Sequence, residues 1–160
     1  MTALAIQDEY SADVSHCYGC GRLNERGLHI RSFWNGQEAT ATFTPSPHHS
    51  AIPGYVYGGL LASLVDCHAT GTAAAKARQD RRGEARAGAP PRFVTASLLV
   101  DYLHPTPLGV PLGLRAWPTE IRGRKIVIDV ELAAEGKVCV RGRVVTVEMP
   151  EHMVRDAERP

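Results

Sequence analysis

One carboxylate, Asp66, lies inside a long apolar stretch of the 160-residue chain, YVYGGLLASLVDCHATGTAAA from 55 to 75, which contains no lysine or arginine. An unpaired ion in apolar surroundings is costly, so its pKa tends to rise and the group becomes suited to act as a base. Asp66 is therefore a candidate catalytic residue. The alternative is a structural carboxylate that a hydroxyl or a backbone N–H satisfies.

The glycine pair Gly58-Gly59 stands where this stretch should begin as a helix. Glycine lets another group approach the backbone closely, and the first N–H groups of a helix lack an intrahelical partner and lie at the positive end of the dipole. Such a position suits a carbonyl oxygen that becomes an oxyanion. The simpler interpretation is that the glycines only permit a tight turn from loop to helix.

Gly59 and Asp66 are seven residues apart, so they share one face of the expected helix and lie about 10 Å apart along its axis. A reacting carbonyl needs its oxyanion donor and its base or nucleophile within about 3 Å of the reacting atoms. One helix can hardly supply both groups. We therefore expect Gly59 of one chain to face Asp66 of a second copy, with two sites per symmetric dimer.

The hydrophobic pattern predicts the elements that carry these residues. Strand-like segments on both sides of Asn35-Gly36 indicate a hairpin with a type I′ turn. A helix is expected from about Val56 to about Arg78, followed by a mobile surface loop over 79–92. Further segments predict the strands of an antiparallel meander: FVTASLLVDYL, VPLGLRAWPTEI, RKIVIDVELAA and KVCVRGRVVTVEM.

A single apolar helix needs a surface that surrounds it. We therefore expect an α+β fold in which a curved antiparallel sheet wraps around one long central helix. Residues 17–149 should form this one domain, with a loosely held arm over 1–16 and a frayed tail over 150–160.

The composition excludes several classes of protein. Apolar residues make up 44% and charged residues 22%, as in ordinary globular domains, and a formal charge of +1 argues against a dedicated nucleic-acid binder. We expect no secretory signal, and the polar residues within 58–75 favour a buried helix over a membrane span. Four cysteines suit a reduced, cytoplasmic protein without a disulfide framework.

Two segments, PGYVYGGLLASLVD (53–66) and VTASLLVDYLHPTPLG (94–109), resemble the hotdog-fold acyl-CoA thioesterases of the PaaI type. The family pattern is His-Gly-Gly, six residues, Asp, and later a Thr/Ser-led strand that ends in Tyr-Leu-x-Pro. With CYGCGRLNERGL and IRGRKIVIDVEL the resemblance covers about 17–148. It implies the hotdog fold, hydrolysis of an acyl-CoA to free acid and CoA, a homodimer or homotetramer, and no cofactor apart from the CoA of the substrate.

The resemblance also implies roles for single residues. Asp66 corresponds to the catalytic carboxylate, which acts as general base or nucleophile. Gly59, next to Gly58, corresponds to the residue whose backbone N–H polarises the thioester carbonyl. Thr95 corresponds to a hydroxyl that helps position the attacking water in some members.

Two positions depart from the family pattern. Tyr57 replaces the usual His before the glycine pair, and a phenol can donate a hydrogen bond but does not titrate near neutrality. Ser50 or Ala51 stands where many members have an Asn that contacts substrate or water. These departures keep two other interpretations open: an acyl-CoA-binding hotdog protein without turnover, and a hotdog hydratase or dehydratase.

Basic residues could hold the phosphates of CoA. Arg122, Arg124 and Lys125 surround an expected turn and are candidates for this contact, the alternative being a solvated basic turn. The arginines of RRGEAR (81–86) are better explained as part of a charged flexible loop.

Other clusters are interpreted as structural. Cys17 and Cys20 form a Cys-x-x-Cys pair near His16 and His29, but no second pair stands at zinc-ligand spacing, so we expect no metal site. A thioredoxin-like redox role is not expected, because no strand leads into the Cys-x-x-Cys pair.

Three further histidines receive no catalytic role. His48 and His49 lie in a Pro-rich loop, where surface histidines are commoner than metal ligands or residues that line a substrate mouth. His68 is about 200° around the helix from Asp66 and is expected in the core or an interface.

Overall fold

The computed structural model describes residues 4–81 and 89–156 of the chain. Within these ranges the regular structure is a six-stranded sheet, one long helix, one short helix and three 3-10 turns. The bounds are β1 Ser32–Trp34, β2 Ala39–Phe43, α1 Gly58–Asp80, β3 Phe93–Tyr102, β4 Leu112–Arg122, β5 Lys125–Ala134, β6 Lys137–Glu148 and α2 Glu151–Asp156.

All neighbouring strands are antiparallel, in the order β1-β2-β4-β5-β6-β3. β4, β5 and β6 follow one another as a meander, and β3 joins the sheet at its edge by pairing with β6. Helix α1 packs against the sheet and touches all six strands. The predicted arrangement, one long helix against an antiparallel sheet, is confirmed.

The strands bury one face against α1. Along β4, the buried Leu112, Leu114 and Ala116 alternate with the exposed Gly113 and Arg115, as the two-residue period of a strand requires. The opposite face is polar and carries exposed ion pairs. Such pairs contribute little to stability but keep that face in contact with solvent. They include Arg115–Glu38 at 2.8 Å, Arg143–Asp129 at 3.1 Å and Arg141–Glu131 at 3.3 Å.

Helix α1 is the centre of the core. From Leu64 to Ala77 its residues are buried with two half-exposed exceptions, Asp66 and Lys76. Its first turns leave one stripe half-exposed, which runs along Gly58, Gly59, Ala62, Ser63 and Asp66. Of the helices in the described ranges, none combines the length and the apolarity needed to cross a membrane.

His68 is a core residue, as the sequence indicated. Its Nδ1 lies 2.8 Å from the Ser32 hydroxyl and its Nε2 lies 3.2 Å from the Ala39 carbonyl oxygen. Burial lowers the pKa of His68 to about 4, so the ring is neutral at pH 7. Because a neutral imidazole donates only once, Nε2–H donates to Ala39 and Nδ1 accepts from Ser32.

The expectation of a loose N-terminal arm is wrong for the part of it that the structure describes. Residues 4–16 form two 3-10 turns, Ile6–Glu9 and Ala12–Val14, and place buried side chains in the core. Gln7 is also buried, and its side chain hydrogen-bonds both the hydroxyl and the N–H of Ser32 on β1. Apolar burial and paired polar groups therefore hold the segment in place.

Three smaller expectations also change. The first hairpin has a four-residue loop, because Trp34 pairs with Ala39, and the Asn35 side chain closes it by accepting the N–H groups of Gln37 and Glu38 at 2.9 Å. A type I′ turn would need positive φ at Asn35, which it lacks.

The expected C-terminal tail begins with helix α2 instead of frayed chain. Of the expected loop over 79–92, residues 79–80 belong to α1 and 82–88 lie outside the described residues.

Helix α1 approaches the sheet very closely at Gly142 on β6. A Cβ placed on Gly142 would lie 2.3 Å from Cγ1 of Val65, a fully buried residue of α1. Any side chain at Gly142 would therefore push the helix away from the sheet. Since Val65 precedes Asp66, this contact sets how far the acid stands from the strands.

The variant Gly142→Ala should lower the free energy of unfolding by about 1–3 kcal/mol, because overpacking displaces a buried helix. The matched control is Gly113→Ala on β4, where an added Cβ meets nothing within 4 Å. That control should change stability by no more than about 0.5 kcal/mol. Chemical denaturation of both variants checks the prediction, and equal losses would contradict the close contact.

Candidate active site

Asp66 and Thr95 meet on the half-exposed side of α1. The Thr95 hydroxyl on β3 donates a hydrogen bond to Oδ1 of Asp66. Burial raises the pKa of Asp66 above its ordinary value, and the bond from Thr95 acts in the opposite direction by stabilising the ionised form. Within the described residues, Asp66 forms no salt bridge. The direct partner of the carboxylate is thus a hydroxyl, and the charge of Arg92 acts on it only through space and lowers its pKa.

A β-bulge in β3 decides which residues accompany Thr95. Thr95 pairs with Thr146 and Ser97 pairs with Val145, so Ala96 is an extra residue in the strand. A bulge exchanges the two faces of the strand beyond it. Leu98, opposite the buried Val144, therefore shares the helix-facing side with Thr95.

The start of α1 offers two free amides. The N–H groups of Gly58 and Gly59 have no hydrogen-bond acceptor within the described residues. Tyr102 on β3 donates its hydroxyl to the Gly58 carbonyl at 2.8 Å and so ties the helix start to the sheet. The exposed ring of Tyr57 lies over Gly59, where an added Cβ would come within 2.4 Å of it.

One chain does not bring the two halves of the site together. Gly59 lies about 10 Å from Asp66 along the helix axis, because each residue advances the helix by about 1.5 Å. Asp66 is bonded to Thr95 of its own chain, and the Gly59 amide points away from the first turn toward the loop side. A single carbonyl group cannot contact both groups within one chain.

A pocket of about 490 Å³ opens beside the start of α1. Its volume is within the range of small-molecule sites. The loop that leads into the helix forms part of its wall, and in this loop the exposed Ser50 pairs with the pocket residue Val56. The lining residues are Ile52, Tyr55, Val56, Gly58, Leu61, Tyr102, Leu103, His104, Pro105 and Thr106.

The basic turn lies at the other end of the helix. Arg124 donates to the Glu148 carbonyl at 2.9 Å, and the Glu148 side chain pairs with Arg81, which caps the C-terminal end of α1. Asp66 is fifteen residues before Arg81, or about 22 Å along the axis. Arg122 pairs with Glu120 at 3.6 Å, and Lys125 is exposed. The structure does not bring Arg122, Arg124 and Lys125 to Asp66 of the same chain.

One of the two loop histidines, His49, has a structural role. His49 Nδ1 accepts the N–H of Ser46 at 3.0 Å and so completes a capping box at the 3-10 turn Pro47–His49. Sequence reasoning overlooked three other contributors near the site: Leu98, whose position depends on the bulge, Tyr102, whose hydroxyl reaches Gly58, and Cys67, which meets the Cys17–Cys20 pair.

A model of the thioesterase superfamily matches residues 53–141, which is more than half of the chain and includes Gly59, Asp66 and Thr95. The chain belongs to the thioesterase superfamily. Membership fixes the family and leaves the reaction, the substrate and the residue roles open.

Solved structures support the hotdog fold of this chain. A thioesterase superfamily protein from Shewanella loihica is 45% identical, with 90% of this chain and 99% of that chain covered and a TM-score of 0.68. The E. coli PaaI protein is 18% identical, with 77% and 81% covered and a TM-score of 0.63, so this second likeness shows the fold alone. The predicted hotdog fold of the PaaI type is confirmed.

A curated relative is the acyl-coenzyme A thioesterase THEM4 of Xenopus laevis, which is 29% identical over 108 residues. The match covers 66% of this chain and 43% of the relative. The chain therefore spans less than half the length of that protein.

The Thr95 hydroxyl can be tested with Thr95→Val, which keeps the size of the side chain. Without this donor the pKa of Asp66 rises further, so the acid limb of the pH profile of kcat/KM should move to higher pH. At pH 7, kcat/KM should fall about tenfold or more, because a hydrogen bond to a charged group contributes about 1.5–3 kcal/mol. The control Thr95→Ser should keep the wild-type profile, and an unmoved acid limb in Thr95→Val would contradict the role.

Proposed function

We propose that the protein hydrolyses an acyl-CoA thioester to the free acid and CoA. The observation that carries the proposal is Asp66, a half-buried carboxylate with a raised pKa that accepts a hydrogen bond from Thr95 and forms no salt bridge among the described residues. A base or a nucleophile needs this state, since its lone pair remains available for the reaction. The thioesterase superfamily and the acyl-CoA thioesterase relative support this class of substrate.

In the proposed reaction the thioester carbonyl oxygen accepts the free N–H of Gly59, next to Gly58. Asp66 of the partner subunit either takes a proton from the attacking water or attacks the carbonyl itself to form an anhydride that water then opens. Thr95 holds the carboxylate and orients the water. The CoA thiolate leaves without a strong general acid, so Tyr57 in place of a histidine does not obstruct the reaction.

We assign the acyl or pantetheine part and the phosphates of the acyl-CoA to the two ends of α1. The pocket beside Gly58 is the proposed acyl or pantetheine site, with Ser50 and Tyr57 at its rim. The phosphates of CoA are assigned to Arg122, Arg124 and Lys125, whose exposed cationic groups suit them. Their distance from Asp66 in one chain requires an extended CoA or the turn of the partner subunit.

A second copy of the chain is part of the proposal. β3 is an edge strand, and it exposes Leu98, Leu99 and Tyr102 by 39%, 57% and 53%. An apolar strand edge invites pairing with another strand. Pairing of two β3 edges around a two-fold axis would bring the half-exposed stripes of two α1 helices toward each other. We infer a homodimer or a dimer of dimers, in the cytoplasm, where four free cysteines stay reduced.

The reaction is tested with a panel of acyl-CoAs and a thiol reagent that detects free CoA. Asp66→Asn should lower kcat by about 10²–10⁴-fold, the usual contribution of a general base. The control Asp80→Asn removes a carboxylate from the exposed end of the same helix and should leave turnover unchanged. Tight acyl-CoA binding without release of CoA in the wild type would instead identify a non-catalytic binding protein.

The shared site is tested by mixing two inactive variants. Gly59→Pro removes the proposed donor, and a proline is tolerated in the first helical turn. In a heterodimer of Gly59→Pro and Asp66→Asn, one site keeps both wild-type groups, so about half of the activity of the wild-type dimer should return. Gly59→Ala, which keeps the amide, is the matched control for the added side chain. No recovery in proven heterodimers would mean that each site lies within one chain.

A further inference from the structure

Three cysteines that are distant in sequence meet beside the helix that carries Asp66. The Sγ atoms of Cys17, Cys20 and Cys67 all lie within 4.8 Å of one another, and those of Cys17 and Cys67 are 3.7 Å apart. Across the described ranges, this is the one group of three or more side chains placed to ligate a metal ion. Cys67 is the ligand that the sequence analysis lacked when it expected no metal.

Two glycines let the CYGCG loop press its thiols against α1. A Cβ on Gly19 would lie 2.2 Å from Sγ of Cys67, and a Cβ on Gly21 would lie 2.4 Å from the Cys17 backbone nitrogen. Both positions therefore exclude side chains. The loop is held by hydrogen bonds from the Gly21 N–H to the Cys17 carbonyl at 2.7 Å and from the Ile30 N–H to the Gly19 carbonyl at 3.0 Å.

Cys20 is also in contact with a positively charged side chain. Arg92 lies on the other side, with Nη2 3.6 Å from Sγ of Cys20. Thiolates, and not thiols, are the form that ligates metals.

Arg92 is a partly buried cation whose charge also acts on Asp66. Its guanidinium lies over the ring of Tyr10, 4.7 Å from the centroid, while its Nη1 and the Tyr10 hydroxyl are buried without a partner among the described residues. A guanidinium stays charged under all ordinary conditions, and a buried cation needs a nearby negative charge. Three thiolates around a divalent cation carry one net negative charge, which would balance Arg92 together with Asp66.

We propose that Cys17, Cys20 and Cys67 bind one thiophilic divalent cation, Zn²⁺, with its fourth position left to water or an external ligand. Tetrahedral zinc with bonds of about 2.3 Å to sulfur separates its sulfurs by about 3.8 Å, close to the 3.7 Å between Cys17 and Cys67. A disulfide would use two of the thiols and leave the third without a role. The cation would fasten the N-terminal loop to α1 next to Asp66.

Co²⁺ is the probe, since its thiolate complexes absorb in the near ultraviolet and its tetrahedral complexes absorb in the visible. The reduced wild-type protein should bind one Co²⁺ per chain with both bands, and Zn²⁺ should displace it. Metal analysis of protein purified without chelator should find zinc. A reduced wild-type chain that binds no Co²⁺ would overturn the proposal without recourse to any variant.

Two single substitutions locate the site. Cys67→Ser should remove the charge-transfer band and weaken Co²⁺ binding at least about 100-fold, since loss of a ligand costs more than loss of an outer partner. The control Cys139→Ser alters a buried thiol on β6 that hydrogen-bonds the Lys137 carbonyl and belongs to no cluster. It should bind Co²⁺ as the wild type does. Unchanged binding by folded Cys67→Ser would overturn the assignment, whatever the outcome of the acyl-CoA assays.

Discussion

Helix α1 lies so close to β6 that a single methyl group at Gly142 would collide with Val65. This contact fixes the residues that follow. Val65 and Cys67 are buried on either side of Asp66, so the carboxylate stays half-buried unless the core is disturbed. Packing therefore maintains the costly desolvation of Asp66, and the free energy of the core, not an ion pair, keeps the acid in its place.

The helix and the meander could be predicted because their signals are local. An apolar run opened by Gly58-Gly59 and strands with a two-residue period are visible in any window of the sequence. Glu135 and Gly136, a local turn signal, connect β5 to β6, and both residues have positive φ, at 51° and 79°. Asn35-Gly36 suggested a similar turn but formed a longer loop, because the Asn35 side chain satisfies the loop amides itself.

The remaining features depend on distant contacts. No local signal marks Ala96 as a bulge, since its neighbours fit a regular strand equally well, and the register is decided by β6. The N-terminal segment looked irregular because 3-10 turns have neither the helical nor the strand period. Cys67 resembled any small core residue until the fold brought Cys17 and Cys20 to it. For the candidate site, the family resemblance suggested the roles of single residues. Only the fold showed which other residues lie next to them.

β3 contributes Thr95 on one edge of the proposed site and also leaves the sheet edge open. If the Gly59 amide and Asp66 act from different subunits, binding of a ligand and association of the chains become thermodynamically linked. A ligand that spans the interface must then tighten the assembly by the same factor by which assembly tightens the ligand. Dilution would dissociate and inactivate such an enzyme, and binding of its substrate would restore the active assembly.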